Sequence, residues 1–272
     1  MKYILIASLI MIVACKESYK IEKETHHKEY DLKENGGNYV KNEAPDAEFN
    51  YMIKAYNIPS ETGKMQSPIN ILTSSIPSKK SEIEVDFHDK IIAIENLGHT
   101  VQLDFEKGST IKADGVEYDF SQIHFHTPSE HLVNGVTYPM EAHLVATIKD
   151  TALIAKGVKK YMVLGYMFEM GEFNDFIGEF IDRIPSEEEK IIKVNPNEIK
   201  LNDVIEDSKS KKLHYYHYYG SLTTPPYTES VSWYVCSSPF TATPDQIQKI
   251  NKIIGNNARH IQDLEDRKVV IE

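Results

Sequence analysis

Two short segments of alternating polar and apolar residues constrain the fold of this chain more than any other feature. Residues 122–126 read Gln-Ile-His-Phe-His, and residues 140–143 read Met-Glu-Ala-His. Because successive side chains of a β-strand point to opposite faces, His124 and His126 project from the same side of one strand. His143 follows on the second segment, after a stretch rich in proline, serine, asparagine and glycine that favours a turn. The pattern predicts two neighbouring strands whose histidines face one point.

Three neutral imidazoles that meet at one point form the ligand set of a catalytic zinc site. Zinc is usually four-coordinate, so three protein ligands leave one position open for water, whereas structural sites are closed by four. An isolated His-x-His pair is more often an ordinary surface or core feature of a strand, and the third histidine is what favours a metal. We therefore expect His124, His126 and His143 to bind Zn2+.

The charge of the chain excludes one broad class of function. A formal net charge of -11 at pH 7, without a basic and aromatic-lined groove, argues against nucleic-acid binding. An acidic surface of this kind favours solubility. The 41% hydrophobic content of 272 residues is enough for a full-sized core.

The remaining patterns predict a mainly β domain with peripheral helices. Apolar residues alternate over residues 83–87, 101–105 and 231–235, and residues 161–168 form a near-continuous apolar run that suits a central strand. One helix is predicted from the apolar stripe Phe173, Phe176, Ile177, Phe180 and Ile181, ending before Pro185. A second helix opens with a capping box at Thr243 and runs to about Ile254.

Six sequence blocks occur in the order seen in alpha-class carbonic anhydrases. They are Gln66-Ser67-Pro68-Ile69-Asn70-Ile71, Asn96-Leu97-Gly98-His99, His124-Phe125-His126, Ser129-Glu130-His131, Glu141-Ala142-His143-Leu144-Val145 and Gly220-Ser221-Leu222-Thr223-Thr224-Pro225-Pro226. The chain resembles this family over about residues 46–272. The resemblance implies a large, mostly antiparallel, twisted central sheet. It also implies reversible hydration of carbon dioxide to bicarbonate and a proton.

The resemblance assigns roles around the metal. It implies a zinc-bound hydroxide that attacks carbon dioxide. Thr223 matches the threonine that accepts a hydrogen bond from this hydroxide and donates one to a buried carboxylate, here Glu130. The Thr223 backbone N–H and Thr224 are expected near bound bicarbonate or an inhibitor.

Further matches supply the supporting residues. Gln122 and Glu141 match the residues that orient the histidine ligands, for His124 and His143 respectively. His99 matches the proton-shuttle histidine of fast family members, and an imidazole pKa near 6.5 suits transfer to buffer. The apolar wall where carbon dioxide sits is matched by Val145, Val163, Leu222, Val231 and Trp233.

The first residues of the chain are typical of an export signal. Lys2 precedes an apolar run over residues 4–13 that is too short to span a bilayer as a mature helix. Ile12-Val13-Ala14-Cys15 resembles the lipobox of bacterial lipoproteins, which implies removal of residues 1–14 and lipid attachment to Cys15. An ordinary signal with an incidental cysteine is the alternative. The lipoprotein interpretation predicts an envelope protein, periplasmic or surface-exposed, with a lipid in the membrane.

A charged segment and a lone cysteine follow from the same interpretation. Residues 15–45 have few large apolar side chains and predict a flexible, solvated tether before a catalytic domain over residues 46–272. With Cys15 acylated, Cys236 has no partner for the disulfide that many secreted bacterial relatives carry. Cys236 is therefore expected to be a small buried hydrophobe.

Two alternatives to the enzyme come from other functional classes. A catalytically silent zinc-binding or adhesion module on the same scaffold would typically have lost one or more zinc histidines, whereas this chain retains His124, His126 and His143. Zinc storage at the envelope would not require Thr223 and Glu130. An activity assay with and without a chelator separates these functions.

Overall fold

The computed structural model describes residues 39–41, 52–54, 63–80, 83–86, 90–113, 115–157, 160–201 and 213–272. The predicted signal, Cys15 and most of the predicted tether lie outside these ranges, as does Phe87 of the alternating segment at 83–87. Residues 39–41 of the predicted tether form a strand that pairs antiparallel with residues 52–54.

Strands are the most frequent regular elements in the described part of the chain. The strands are β1 (Tyr39–Lys41), β2 (Met52–Lys54), β3 (Asn70–Ile71), β4 (Glu84–Asp86), β5 (Ile91–Asn96), β6 (Val101–Phe105), β7 (Thr110–Ala113), β8 (Val116–His126), β9 (Leu132–Val133), β10 (Val136–Thr137), β11 (Met140–Ile148), β12 (Tyr161–Met170), β13 (Lys190–Lys193), β14 (Tyr215–Gly220), β15 (Val231–Cys236), β16 (Phe240–Ala242) and β17 (Val270–Ile271). The helices are α1 (Thr151–Ala155), α2 (Asp175–Phe180) and α3 (Pro244–Ile254), with 3-10 turns at Thr73–Ser75 and Ile181–Arg183. Within the described residues no helix has the length and apolarity to cross a bilayer.

One large sheet dominates the described part of the chain. It has 12 strands, and its main path runs β13-β5-β6-β8-β11-β12-β15-β14-β17. Neighbours along this path are antiparallel except β12 and β15, which are parallel, and β16 also pairs parallel with β12. The predicted fold class, a mainly β domain on a large and mostly antiparallel sheet, is confirmed.

Residue patterns explain where these strands lie. β12 carries the apolar run at residues 161–168, and Met162–Phe168 are all buried, as a strand covered on both faces requires. In β6, Val101, Leu103 and Phe105 are buried while the residues between them are half-buried. The alternation predicted from sequence therefore places one face of β6 on the core.

The two predicted helices fared differently. The capping box at Thr243 is confirmed, because its side chain accepts from the Gln246 N–H and the Gln246 side chain accepts from the Thr243 N–H. The start of the other helix was predicted wrongly. Asn174 caps it by accepting from the Ile177 N–H, so helix α2 begins at Asp175. Phe173 precedes the cap and is 57% exposed, not part of the buried stripe.

Cys236 behaves as predicted. The side chain is buried in β15, and its thiol donates to the Ser238 carbonyl. Burial raises the pKa of the thiol to about 11, which keeps it protonated at neutral pH.

Candidate metal centre and active site

The three predicted histidines lie together on one face of strands β8 and β11. His124 stands directly opposite His143, and His126 stands opposite Glu141 in the antiparallel register. The ring centroids of the three imidazoles are 4.5–5.2 Å apart. One ring nitrogen from each lies within 4.8 Å of the others, so this trio could hold a metal ion.

The protonation of these imidazoles suits metal binding. Burial, followed by repulsion from the neighbouring histidines, lowers the pKa of both His124 and His126 well below its usual value. Both rings are therefore neutral near pH 7, and the neutral imidazole is the form that binds metal. His126 Nε2 is buried without a hydrogen-bond partner, a costly arrangement for a polar atom unless it binds something. The donor set fits zinc.

Gln122 fixes the tautomer of one ring. Its Oε1 atom lies 2.8 Å from His124 Nδ1. An amide oxygen only accepts, so His124 carries its proton on Nδ1 and keeps the Nε2 lone pair for a ligand. Gln122 and His124 lie two residues apart on β8, which puts both on the same face.

Glu141 contacts two histidines at once. Its Oε1 lies 2.8 Å from His131 Nδ1 and 3.0 Å from His143 Nε2, although the second contact lacks the alignment of a hydrogen bond. Its Oε2 accepts from the backbone N–H groups of Glu130 and His131, both at 2.9 Å. Burial alone would raise the pKa of Glu141, but His131 and His143 hold it well below its usual value. Glu141 is therefore an ionised acceptor.

His131, Glu141 and His143 form a second group that meets the same distance criterion for a metal. The first two members are already engaged. His131 Nε2 lies 2.6 Å from the Tyr218 hydroxyl, which in turn donates to Ser67 Oγ. Because His131 and Glu141 bond each other, these two residues support the site, and His143 is left to act with His124 and His126.

The Glu130 carboxylate lies beside the trio and is completely buried. Its Oε1 accepts from the Arg259 backbone N–H at 2.9 Å, whereas its Oε2 is buried without a hydrogen-bond partner. Burial raises the pKa of Glu130 to about 7, and the Arg259 N–H and the Thr223 side chain oppose the rise. Glu130 Oε1 also lies 3.6 Å from His126 Nδ1.

Sequence reasoning missed Arg259. Its guanidinium donates to the Gln66 side-chain oxygen at 3.0 Å and to the Ser67 carbonyl at 2.7 Å, and it lies 3.8 Å from the Tyr227 ring centre. The backbone N–H that reaches Glu130 is thereby held in place. The block that begins at Gln66 could have indicated such a residue, because a buried glutamine side chain requires a hydrogen-bond partner.

His99 lies half-buried in the loop between β5 and β6. Its Nδ1 atom is 3.0 Å from the Leu97 carbonyl. Burial lowers its pKa, while the Leu97 carbonyl and the charge of Glu188 act in the opposite direction. Asn257, also missed from sequence, donates to the carbonyls of His99 and Phe125 at 2.8 and 3.0 Å. It ties the His99 loop to the strand that carries His124 and His126.

The predicted apolar wall forms one cluster beside the trio. The Trp233 ring centre lies 4.8 Å from that of His143. Trp233 Nε1 donates to the Ser221 carbonyl at 3.0 Å, which anchors the segment leading to Thr223. Thr224 is half-buried next to it. The wall residues are Val163, Val231 and Trp233, which are buried, and Val145 and Leu222, which are partly buried against them.

A family model for eukaryotic-type carbonic anhydrases matches residues 53–272. The chain belongs to the alpha-class carbonic anhydrase family. A carbonic anhydrase from Neisseria gonorrhoeae is 35% identical over 213 residues, which are 77% of this chain and 78% of that protein. Another from Pectobacterium carotovorum is 32% identical over 211 residues, covering 77% of this chain and 81% of that one.

Solved structures agree with the family. A hyperthermostable carbonic anhydrase from an active hydrothermal vent chimney matches with a TM-score of 0.68 and 34% identity, covering 78% of this chain and 89% of that chain. The alpha-carbonic anhydrase from Thermovibrio ammonificans, in complex with the inhibitor sulfanilamide, matches with a TM-score of 0.66 and 31% identity, covering 77% and 88%. Alpha carbonic anhydrases are zinc enzymes. Hydration of carbon dioxide to bicarbonate is the activity that this membership supports.

Proposed function

We propose that this carbonic anhydrase works with zinc held by His124, His126 and His143 and with His99 as its proton shuttle. The observation that carries the proposal is the convergence of three imidazoles, with His126 Nε2 buried and unpartnered. In carbonic anhydrases as a family, bound zinc lowers the pKa of water from about 15.7 to near 7, which supplies hydroxide at neutral pH.

Thr223 orients the nucleophile. Its hydroxyl has one proton, which it donates to the Glu130 carboxylate. The oxygen lone pairs of Thr223 are then left to accept a hydrogen bond from hydroxide, which fixes the direction of attack. The Arg259 N–H holds the other end of this relay by donating to Glu130.

The apolar wall binds carbon dioxide and excludes water. Carbon dioxide is small and uncharged, so it is accommodated by apolar side chains without a hydrogen-bonding cost. Val163, Val231 and Trp233 supply a buried surface beside His143, and Val145 and Leu222 extend it. The Thr223 backbone N–H and Thr224 lie at the edge where bicarbonate, the polar product, forms.

His99 carries the released proton out of the site. An imidazole accepts and releases protons near neutral pH because both of its forms are accessible there. His99 is half-buried, so part of its surface is open to buffer. Repulsion from His99 is one of the causes that lower the pKa of His124, after burial and the charge of His143.

Hydration assays on the full chain test this function. We expect one equivalent of zinc, activity that is lost with a strong chelator and restored by zinc, and inhibition by sulfanilamide. Full zinc content without activity would favour the silent binding module. Undiminished activity after complete removal of zinc would contradict the proposal.

We also propose that Cys15 is lipidated and anchors the enzyme in the bacterial cell envelope, on the periplasmic side or at the surface. The support is the Ile-Val-Ala-Cys ending of the apolar run before it. Cell fractionation of wild type and Cys15→Ser is the test. Wild type is expected in the membrane fraction with a diacylglycerol mass on Cys15, and the variant is expected to lose both. An unmodified Cys15 in the mature wild-type chain would contradict this proposal.

A further inference from the structure

A serine, a histidine and a glutamate lie in line across three adjacent strands, on the face of the sheet opposite the zinc-binding trio. Ser232 is on β15, His217 on the neighbouring β14, and Glu272 directly follows β17, which pairs with β14 on its other side. Their strand neighbours Tyr218 and Trp233 point the other way, toward His131. The two faces therefore carry separate polar groups.

Each nitrogen of His217 has a defined partner. Nδ1 lies 3.0 Å from Glu272 Oε1, and Nε2 lies 3.0 Å from Ser232 Oγ. An ionised carboxylate only accepts, so the Nδ1 proton of neutral His217 is committed to Glu272. Nε2 is then an acceptor, and the Ser232 hydroxyl donates to it. This is the order of contacts in a serine–histidine–acid triad.

Packing holds the histidine in this orientation. The His217 ring stacks on Tyr234, with centroids 4.2 Å apart and an interplanar angle of 7°. His217 is 5% exposed and Glu272 4%. Lys79 Nζ lies 3.1 Å from Glu272 Oε1, so a positive charge neighbours this carboxylate. A fixed base and an ionised partner are what an activated serine requires.

Ser232, in contrast, is only half-buried and reaches open space. It lines a surface cavity of about 340 Å³. Tyr161, Tyr219 and Val116 give the cavity apolar walls, and Lys160 and Glu229 add charges of opposite sign. This volume suits a small ligand with an apolar part. The cavity lies against the nucleophile rather than against the buried members of the triad.

We propose that Ser232, His217 and Glu272 form a second catalytic site, which transfers acyl groups from small carboxylic esters with apolar substituents. Ser232 Oγ attacks the ester carbonyl carbon while its proton moves to His217 Nε2. The carbon–oxygen bond to the alcohol breaks, and the alcohol leaves with that proton. Water then attacks the acyl-serine and gives one proton to Nε2. The bond from the acyl carbon to Ser232 Oγ breaks, Oγ takes that proton back from Nε2, and the carboxylic acid is released. No metal or redox partner takes part.

Covalent labelling of the full-length zinc enzyme tests this site without interference from hydration activity. Diisopropyl fluorophosphate forms a phosphorus–oxygen bond with an activated serine and releases fluoride, while the hydroxyl proton passes to the base. Peptide mass mapping is expected to find the label on Ser232. A brief incubation with 4-nitrophenyl acetate, quenched in acid, is expected to leave an acetyl group on the same residue.

Matched variants test whether labelling of Ser232 depends on activation by His217 or only on exposure of the serine. Ser230 lines the same cavity, and its Oγ contacts the Thr228 carbonyl rather than an imidazole. Ser230→Ala is expected to keep the labelling rate, Ser232→Ala to abolish it, and His217→Gln to slow it by about 100-fold. Glu272→Gln removes the ionised partner without removing the ring, so it is expected to slow labelling even if His217→Gln fails to fold.

Several results would overturn the proposal. They are absence of label on Ser232, label on other residues at the same rate, or equal rates in wild type and in folded His217→Gln or Glu272→Gln. Phosphorylation of Ser232 by the fluorophosphate without acetylation by 4-nitrophenyl acetate would reject esters as its substrates. Thermal unfolding of each variant identifies those that are folded.

Discussion

The two faces of the large sheet use histidine in opposite ways. On one face, His126 Nε2 is buried without a hydrogen bond while Gln122 and Glu141 contact the neighbouring rings. On the other face, both nitrogens of His217 are hydrogen-bonded, to Ser232 and Glu272. The surrounding strands provide similar burial in both cases.

The difference lies in which ring atoms are left without partners. Imidazoles with a buried, unpartnered nitrogen, such as His126, are suited to bind a metal. An imidazole with both nitrogens committed between a carboxylate and a hydroxyl is suited to move a proton. Burial and histidine content alone would not separate the two sites. The hydrogen-bond partners do.

The largest effect is expected from removing one of the three imidazoles that bind zinc. His126→Ala leaves two imidazoles, so zinc affinity should fall more than 100-fold, beyond the usual cost of losing a supporting residue, and hydration should be abolished. His217→Ala, on the other face, should keep one zinc per chain. Metal analysis after dialysis measures both. Stoichiometric zinc in His126→Ala would break the distinction between the faces.

The next effect concerns the orientation of the nucleophile. Thr223→Ala should lower kcat/KM for hydration about 100-fold, or about 2.7 kcal/mol, while zinc content stays the same. The control is Thr228→Ala, an exposed residue on the same turn. Stopped-flow hydration measures the change. A loss in Thr223→Ala explained entirely by lost zinc would reject its role as an orienting group.

Proton export should respond to buffer. His99→Ala is expected to slow turnover about 100-fold in weak buffer, because an acid–base group is lost, and added imidazole should restore much of the rate. His260→Ala removes an exposed histidine and serves as the control. Unchanged turnover of His99→Ala in weak buffer would contradict the shuttle.

A smaller effect is expected from the residue that holds a ligand ring. Gln122→Ala should weaken zinc binding about 10-fold, since His124 loses the acceptor that fixes its tautomer. Gln102 lies directly opposite His124 on β6 but donates to Asp104, so Gln102→Ala is the matched control. Competition with a zinc chelator gives the affinities. Equal zinc affinities of the two variants would contradict the role of Gln122 in orienting His124.

Local sequence patterns predicted what depends on neighbouring residues. The spacing of His124 and His126 gave their shared face, and the capping box at Thr243 gave the start of a helix. The cap at Asn174 was overlooked, so Phe173 was assigned wrongly to the core. Periodicity alone does not reveal where a helix begins when a capping side chain competes.

Local patterns could not predict contacts between residues that lie far apart in the sequence. Arg259 reaches Glu130 across 129 positions, and Asn257 reaches Phe125 across 132. His217 meets Glu272 across 55 positions and Ser232 across 15. No periodicity joins these pairs, because the order of strands in the sheet brings them together.

The smallest expected effect concerns Cys236, on the face of the sheet that carries His217. Cys236 lies on the same side of β15 as Ser232, but its thiol donates to a carbonyl, and burial raises its pKa to about 11. At pH 8 the thiol stays protonated, and its reactivity should rise only as pH approaches that value. Iodoacetamide should therefore leave Cys236 unmodified in the folded enzyme and modify it in denaturant. Rapid alkylation of Cys236 in the folded enzyme would contradict a buried, protonated thiol.

The position of the metal tests the central claim most directly. A crystal structure of the zinc-loaded enzyme, with anomalous scattering at the zinc edge, locates the ion without reference to activity. We predict one zinc bound by nitrogens of His124, His126 and His143, with a non-protein atom at the fourth position. Zinc at the His131–Glu141–His143 group, or a fourth ligand from the protein, would contradict the account.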